Sequence, residues 1–195
     1  MDKKEIIDFF NRLAPGWDAE QIDKKRIING ILDNAEVSEG KAVLDVACGT
    51  GILFPFYLER GVSSVTGIDI SSEMIKIAEF KYGEDSRTSF ICADADSAKF
   101  DKQFDIAMIY NAFPHFPDPK LLVENLHSCL KEGGRICIAH GASRTEIDSH
   151  HSGCASRVSV GLMEAEELAE LLSPLYNVDV CISNDEFYQV SGIKK

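Results

Sequence analysis

The chain has little with which to cross or lie on a membrane. No apolar run in its 195 residues reaches the roughly 18 needed for a transmembrane helix. The opening stretch MDKKEIIDFF lacks the long apolar region and cleavage site of a signal peptide. No lysine or arginine run is long enough to support a basic patch, and 20 basic residues against 32 acidic ones leave a formal net charge of −12. Phosphate backbones and anionic headgroups need a basic surface, so neither a nucleic-acid partner nor a membrane surface is expected. The six cysteines (48, 92, 129, 137, 154 and 181) include no C-x-x-C pair, and several fall in apolar strand-like runs. Reduced, buried thiols in a cytoplasmic protein are the expectation. Internal repeats and low-complexity segments are absent as well, and at this length one domain over residues 1–195 is the default.

What is present is one organising stretch, Lys41–Gly51, KAVLDVACGTG. Ala42, Val43, Leu44 and Val46 form an apolar run that reads as a strand buried on both faces. Gly49 and Gly51 end it in a tight turn, and Ile52 to Arg60 follows with helical spacing. Strand, glycine turn and helix together present backbone N–H groups and a helix N-terminus to a ligand. Glycine suits such a turn because φ can be positive there and because a Cβ would obstruct close approach. A dinucleotide fingerprint would read G-x-G-x-x-G, but Phe54 stands at the third glycine position. Asp45 lies inside the strand instead, ahead of Gly49. The stretch resembles motif I of the class I S-adenosylmethionine-dependent methyltransferases, roughly (D/E)-x-G-x-G-x-G, with Ala47 in place of the first glycine. The resemblance implies an α/β, Rossmann-like fold: a doubly wound, mostly parallel seven-stranded sheet with an antiparallel C-terminal hairpin strand. It also implies S-adenosylmethionine as cofactor, with Asp45, Ala47, Cys48, Gly49 and Gly51 at its site.

Residues 2–14 read as a helix through Ile6, Ile7, Phe9, Phe10 and Leu13, broken at Pro15-Gly16. A second helix is expected over 19–35, with Ile22, Ile27, Ile28, Ile31 and Leu32 as its apolar stripe. FFNRLAPGWD resembles the opening of methyltransferases related to the ubiquinone/menaquinone-biosynthesis family, in which an aromatic residue before Asp closes over the cofactor. Trp17 takes that place, and residues 1–35 are expected to form a helical lid on a cofactor-binding core of 41–195. A second strand over Val62–Ile68 ends at Asp69, where a carboxylate can accept hydrogen bonds from both ribose hydroxyls; Ile70 follows it at the same edge. Ser71 and Ser72 offer an N-cap to the next helix.

A third strand, Ser89–Ala93, leads into CADAD, where the resemblance assigns Asp94 to the adenine amino group and the backbone of Ala95 to the ring nitrogens. A fourth, Phe104–Tyr110, runs into NAFPHFPD, which resembles the family's F-D-x-V-x-x-x-x-x-L-H-H-L-x-D pattern. By that resemblance Asn111 emerges beside the cofactor's methionine portion and His115 matches the second histidine. Asp118 and Pro119 start a helix as N-cap and N1, which Gly133-Gly134 are expected to end. A fifth strand, Arg135–Ala139, opens into a long loop over 140–161. A helix over about 163–172 follows, then strands Val178–Ser183 and Glu186–Gly192 joined at Asn184-Asp185.

A sulfonium methyl is already activated, so aligning a nucleophile and excluding water supply much of the acceleration. A base is needed only where the nucleophile must lose a proton near neutral pH, a task that suits histidine. His115, His140, His150 and His151 lie on segments expected to border the substrate, whereas His127 sits in a helix. His151 and His140, then His115, are the candidate catalytic residues. The set His140, His150, His151 and Cys154 has a spacing that matches no zinc pattern, and no metal is expected. The reading is an S-adenosylmethionine-dependent methyltransferase acting on a small-molecule acceptor. An NAD(P)-dependent oxidoreductase would share the glycine turn and Asp69, but not Asp45, Asp94 or the NAFPHF stretch. A non-enzymatic S-adenosylmethionine-binding module is the third reading, against which the histidine-rich loop speaks.

Overall fold

Five parallel strands, β1 (Ala42–Val46), β2 (Ser64–Asp69), β3 (Thr88–Cys92), β4 (Phe104–Tyr110) and β5 (Leu130–His140), form the body of the sheet in the computed structural model. The hairpin strands β6 (Tyr176–Ser183) and β7 (Tyr188–Lys194) complete it, with β7 antiparallel to both β5 and β6. The order is β3-β2-β1-β4-β5-β7-β6. Described are residues 2–20, 24–101, 103–151 and 158–195, without the side chains of Glu20 and of residues 148–151.

The period of two in the strand sequences sends alternate residues to two separate cores. Leu44, Val46, Ile109, Ile136 and Ile138 face one, which is closed by Leu122 and Leu126 of α5 (Pro119–Cys129) and Leu168 and Leu172 of α7 (Ala165–Leu172). Val43, Ile106, Met108, Cys137 and Ala139 face the other, under Ile28, Ile31 and Leu32 of α2 (Lys25–Asn34) and Phe54 and Tyr57 of α3 (Phe54–Glu59). A sheet covered on both faces explains why its central strands read as unbroken apolar runs. Ser71 caps α4 (Ser72–Tyr82), its Oγ accepting from Met74 N at 3.2 Å, and Asp118 caps α5 by accepting from Leu121 N at 3.0 Å. α1 (Lys3–Leu13) and a 3-10 segment, Ala14–Glu20, precede α2.

Several expectations need correction. Gly133-Gly134 do not end α5, which stops at Cys129; they lie within β5, where the pairing with β4 shifts register between Phe104 and Ile106 and Gly133 takes φ 71. A bulge needs the same positive-φ residue that a helix stop does. The stretch 140–161 is not one loop: His140 closes β5, and α6 (Arg144–His151) follows. The second helix starts at Lys25 rather than 19, and the expected Ile22 falls outside the described residues. Cys92 and Cys181 are exposed, while Cys48, Cys129 and Cys137 are buried and, like them, free. No helix among the described residues is long and apolar enough to cross a membrane.

Candidate active site at the reversal of strand order

The chain winds outward from β1 through β2 to β3, then returns to place β4 and β5 on the other side of β1. The crevice at the carboxyl ends of β1 and β4 is where open α/β sheets bind ligands. The turn after β1 fills that position with three left-handed residues, Ala47 (φ 52), Gly49 (φ 55) and Gly51 (φ 85). Its two glycines serve different purposes. A Cβ on Gly49 would come into ordinary contact with Trp17 Nε1 at 3.8 Å and Met74 Sδ at 4.0 Å, so this backbone faces the indole across the crevice without a clash. A Cβ on Gly51 would stand 2.8 Å from the Tyr82 ring, so that glycine admits α4 instead.

Asp69, at the end of β2, splints the cradle. Its Oδ2 accepts from Gly49 N and its Oδ1 from Ser71 N, each at 2.8 Å. Burial raises its carboxyl, and the backbone donors at Ser71, Gly49 and Ile70 oppose that rise. Asp45 is buried beneath the turn. Burial pushes its carboxyl up to about 8, helped by the Asp69 charge and opposed by the Tyr57 hydroxyl. Cys48 turns its thiol inward: a Cβ on Gly67, in β2, would sit 2.8 Å from Cys48 Sγ. Cys48 N donates to Ile68 O and its carbonyl accepts from Gly51 N, so it holds the turn's shape. Ile70 is half-buried beside Asp69.

Asp94 follows β3 and is ion-paired with Lys3 of α1, whose ammonium also reaches Asp96 at 3.1 Å. The bond to Asp94 raises the Lys3 ammonium against the opposing effect of its burial. Ala95 is buried, its carbonyl held by Asn125 Nδ2 at 2.8 Å. The rest of the N-terminal segment lies along the same edge. Asn11 Oδ1 accepts from Ser71 Oγ at 2.7 Å and Glu73 N at 3.3 Å, and Asp18 accepts from Thr50 Oγ1 at 2.6 Å and Lys81 Nζ at 2.9 Å. The Phe10 ring lies edge-on to Trp17 and to His115, with centroids 5.8 and 5.0 Å away.

On the β4 side, Asn111 is exposed at φ 55, its N donating to Ala139 O and its Oδ1 accepting from Gly141 N, both at 2.9 Å. His115 is half-buried with Nδ1 at 2.7 Å from Val158 O, an arrangement in which Nδ1–H donates to the carbonyl. His140 is buried at the end of β5, its ring edge-on to Tyr188 at 6.2 Å. His151 ends α6; its side chain, that of His150, and Cys154 lie outside the described residues. Among the described residues no three His, Cys, Asp or Glu side chains gather closely enough to hold a metal. The fold thus brings Trp17, Ala47, Gly49 and Asp69 around one cradle, with Asp94 and Asn111 at neighbouring strand ends. Sequence reasoning missed Lys3, Asn11, Asp18, Thr50 and Asn125: Asn11, Asp18 and Thr50 lie within the two stretches singled out by resemblance but were given no role, and Lys3 and Asn125 belong to no local pattern.

A parallel sheet that reverses beside a glycine cradle, with a carboxylate at the end of the next strand, defines a Rossmann-like nucleotide-cofactor fold. Residues 44–138 match the family described as a methyltransferase domain. The chain is similar to a malonyl-[acyl-carrier protein] O-methyltransferase of Acetivibrio thermocellus, 30% identical over 78% of this chain and 54% of the relative. It is also similar to a ubiquinone biosynthesis O-methyltransferase of Idiomarina loihiensis, 32% identical over 70% of this chain and 59% of the relative. The chain therefore spans little more than half the length of these curated relatives. The N-methyltransferase NodS of Bradyrhizobium japonicum WM9, solved with S-adenosyl-L-homocysteine, shares the fold at TM-score 0.75 and 13% identity, covering 100% of this chain and 99% of that one. In sequence the chain is thus similar to O-methyltransferases, and in fold to a methyltransferase solved with S-adenosyl-L-homocysteine.

Proposed function

We propose that this chain, as a single domain over residues 1–195 with residues 1–35 as its lid, transfers a methyl group from S-adenosylmethionine to a small-molecule acceptor. The observation that carries this reading is the left-handed turn at Gly49, splinted by the Asp69 carboxylate and faced by Trp17. When bound, S-adenosylmethionine supplies an activated methyl on a sulfonium. The chain's own residues would bind, orient and exclude water. The left-handed turn brings backbone close to the cofactor, Asp69 keeps lone pairs for ribose hydroxyls, and Asp94 and Ala95 face the adenine once Lys3 yields. Asn111 borders the reacting end. Phe10 and Trp17 shut out solvent, which is where much of the acceleration would arise.

Where the acceptor must lose a proton, His115 offers Nε2 as base, with Nδ1 anchored on Val158 O. His140 and His151 are candidates from the neighbouring end of β5 and from α6. Curated relatives named as O-methyltransferases favour an oxygen acceptor. The NAD(P) reading is not favoured: Phe54, at the third glycine position, is fully buried and stacks on Tyr82 and Phe90. The five free cysteines among the described residues suit a reducing, cytoplasmic setting. Calorimetric titration tests the reading. Binding of S-adenosylmethionine and S-adenosylhomocysteine without binding of NAD supports it, and NAD binding alone would replace it.

A further inference from the structure

We propose that the acceptor is an anion and that Lys24 holds its charge; this rests on the methyltransferase reading above. Lys24 is half-buried at the start of α2. Its ammonium donates to the Gly141 carbonyl, just past the end of β5, and no carboxylate pairs with it among the described residues. Two positions along the chain, Arg26 pairs with Glu186. An ammonium has three donors, and the Gly141 carbonyl takes one.

The place where Lys24 stands is built. Gly141 N donates to Asn111 Oδ1 at 2.9 Å, which ties the turn after β5 to the left-handed residue after β4. A Cβ on Gly141 would collide with the Tyr110 hydroxyl and stand 3.5 Å from Lys24 Cδ. Glycine at this position lets the lysine stem, the tyrosine hydroxyl and the backbone meet at one point. Strained residues of the Asn111 kind persist where surrounding bonds over-determine them, often at functional sites. The constellation lies on the β4–β5 side of the crevice, opposite the Gly49 and Asp69 cradle at β1 and β2, so a molecule bound there faces the cofactor. The field of an acidic protein repels an anion, and seating one calls for a local cation not already neutralised. Lysine serves as a point charge for carboxylate and phosphate oxygens alike.

Lys24→Met and Lys24→Arg test this, each first checked for native folding by circular dichroism. The protein, alone and loaded with S-adenosylhomocysteine, is titrated calorimetrically with malonate, benzoate and inorganic phosphate, and with uncharged malonamide and benzamide. At least one anion should bind while the amides do not. Lys24→Met should weaken that binding by about tenfold or more, Lys24→Arg should retain most of it, and S-adenosylhomocysteine affinity should stay near wild type in both. Malonate or benzoate binding marks a carboxylate acceptor, and phosphate binding a phosphorylated one. The proposal is overturned if no anion binds in either state, if the amides bind equally well, or if Lys24→Met binds anions like the wild type. Failure of the wild type to bind S-adenosylhomocysteine would instead strike the methyltransferase reading, while the titrations of the unloaded protein still decide whether Lys24 holds an anion.

Discussion

Ala47 occupies a left-handed conformation, φ 52, that costs a side-chain-bearing residue about 1–2 kcal/mol. Ala47→Gly should therefore raise the unfolding free energy by roughly 0.5–1 kcal/mol, the remainder being offset by the freer unfolded glycine. Urea denaturation reads this, and a variant less stable than wild type would mean that the methyl packs usefully. Asp69→Ala should weaken S-adenosylmethionine binding by roughly ten- to a hundredfold, since it removes charge-assisted bonds and the splint on Gly49. An unchanged calorimetric Kd would take Asp69 out of the site. Asp45 carries a pH signature. Its folded carboxyl is pushed up to about 8 from the ordinary 3.8, so between those values the folded state keeps a proton that the unfolded chain has lost. Stability contributed by that proton falls as pH rises through the window and levels off above about 8. Asp45→Asn has no such slope, so its stability relative to wild type should improve from pH 5 to pH 8. A difference constant with pH would show that Asp45 is ionised in the fold.

At the scale of elements, α1 and the 3-10 segment are held on the cofactor edge by Lys3, Asn11 and Asp18 through polar contacts rather than by a deep apolar seam. Only Ile6 of α1 is buried. Such a segment is able to move, and S-adenosylhomocysteine should change the fluorescence of Trp17, the only tryptophan, and slow proteolysis before residue 36. If saturating ligand alters neither, Trp17 is a packing residue and the lid idea fails. Elements were legible in the sequence where local physics decides them. β4 runs from Phe104 to Tyr110 as its apolar run indicates, and Ser71 and Asp118 cap the helices they precede. Gly133 misled because its conformational freedom serves a bulge that only the partner strand explains. The glycine turn and Asp69 were legible for the same local reason. Lys3, Asp18 and Lys24 were not, because their partners lie 91, 32 and 117 positions away and only the topology joins them.

The molecule as a whole carries a charge of −12. S-adenosylmethionine brings a sulfonium cation and its demethylated product does not, so a negative field should favour arrival of the donor over return of the product. In stopped-flow mixing followed through Trp17, added salt should slow association of the donor more than that of the product. Equal salt dependence would confine the electrostatics to the site. The placement of β7 between β5 and β6 bears on how the chain folds. The hairpin pairs locally across Asn184, whose side chain accepts from both Glu186 N and Phe187 N at 2.9 Å, whereas the β5–β7 ladder from Arg135 to His140 joins distant stretches. Local pairs close sooner than distant ones. Until the hairpin docks, β5 presents Ile136, Cys137 and Ile138 along an open edge, the kind of template on which unfinished chains aggregate. The strand that completes the sheet is thus also the guard against misassembly of its most apolar margin.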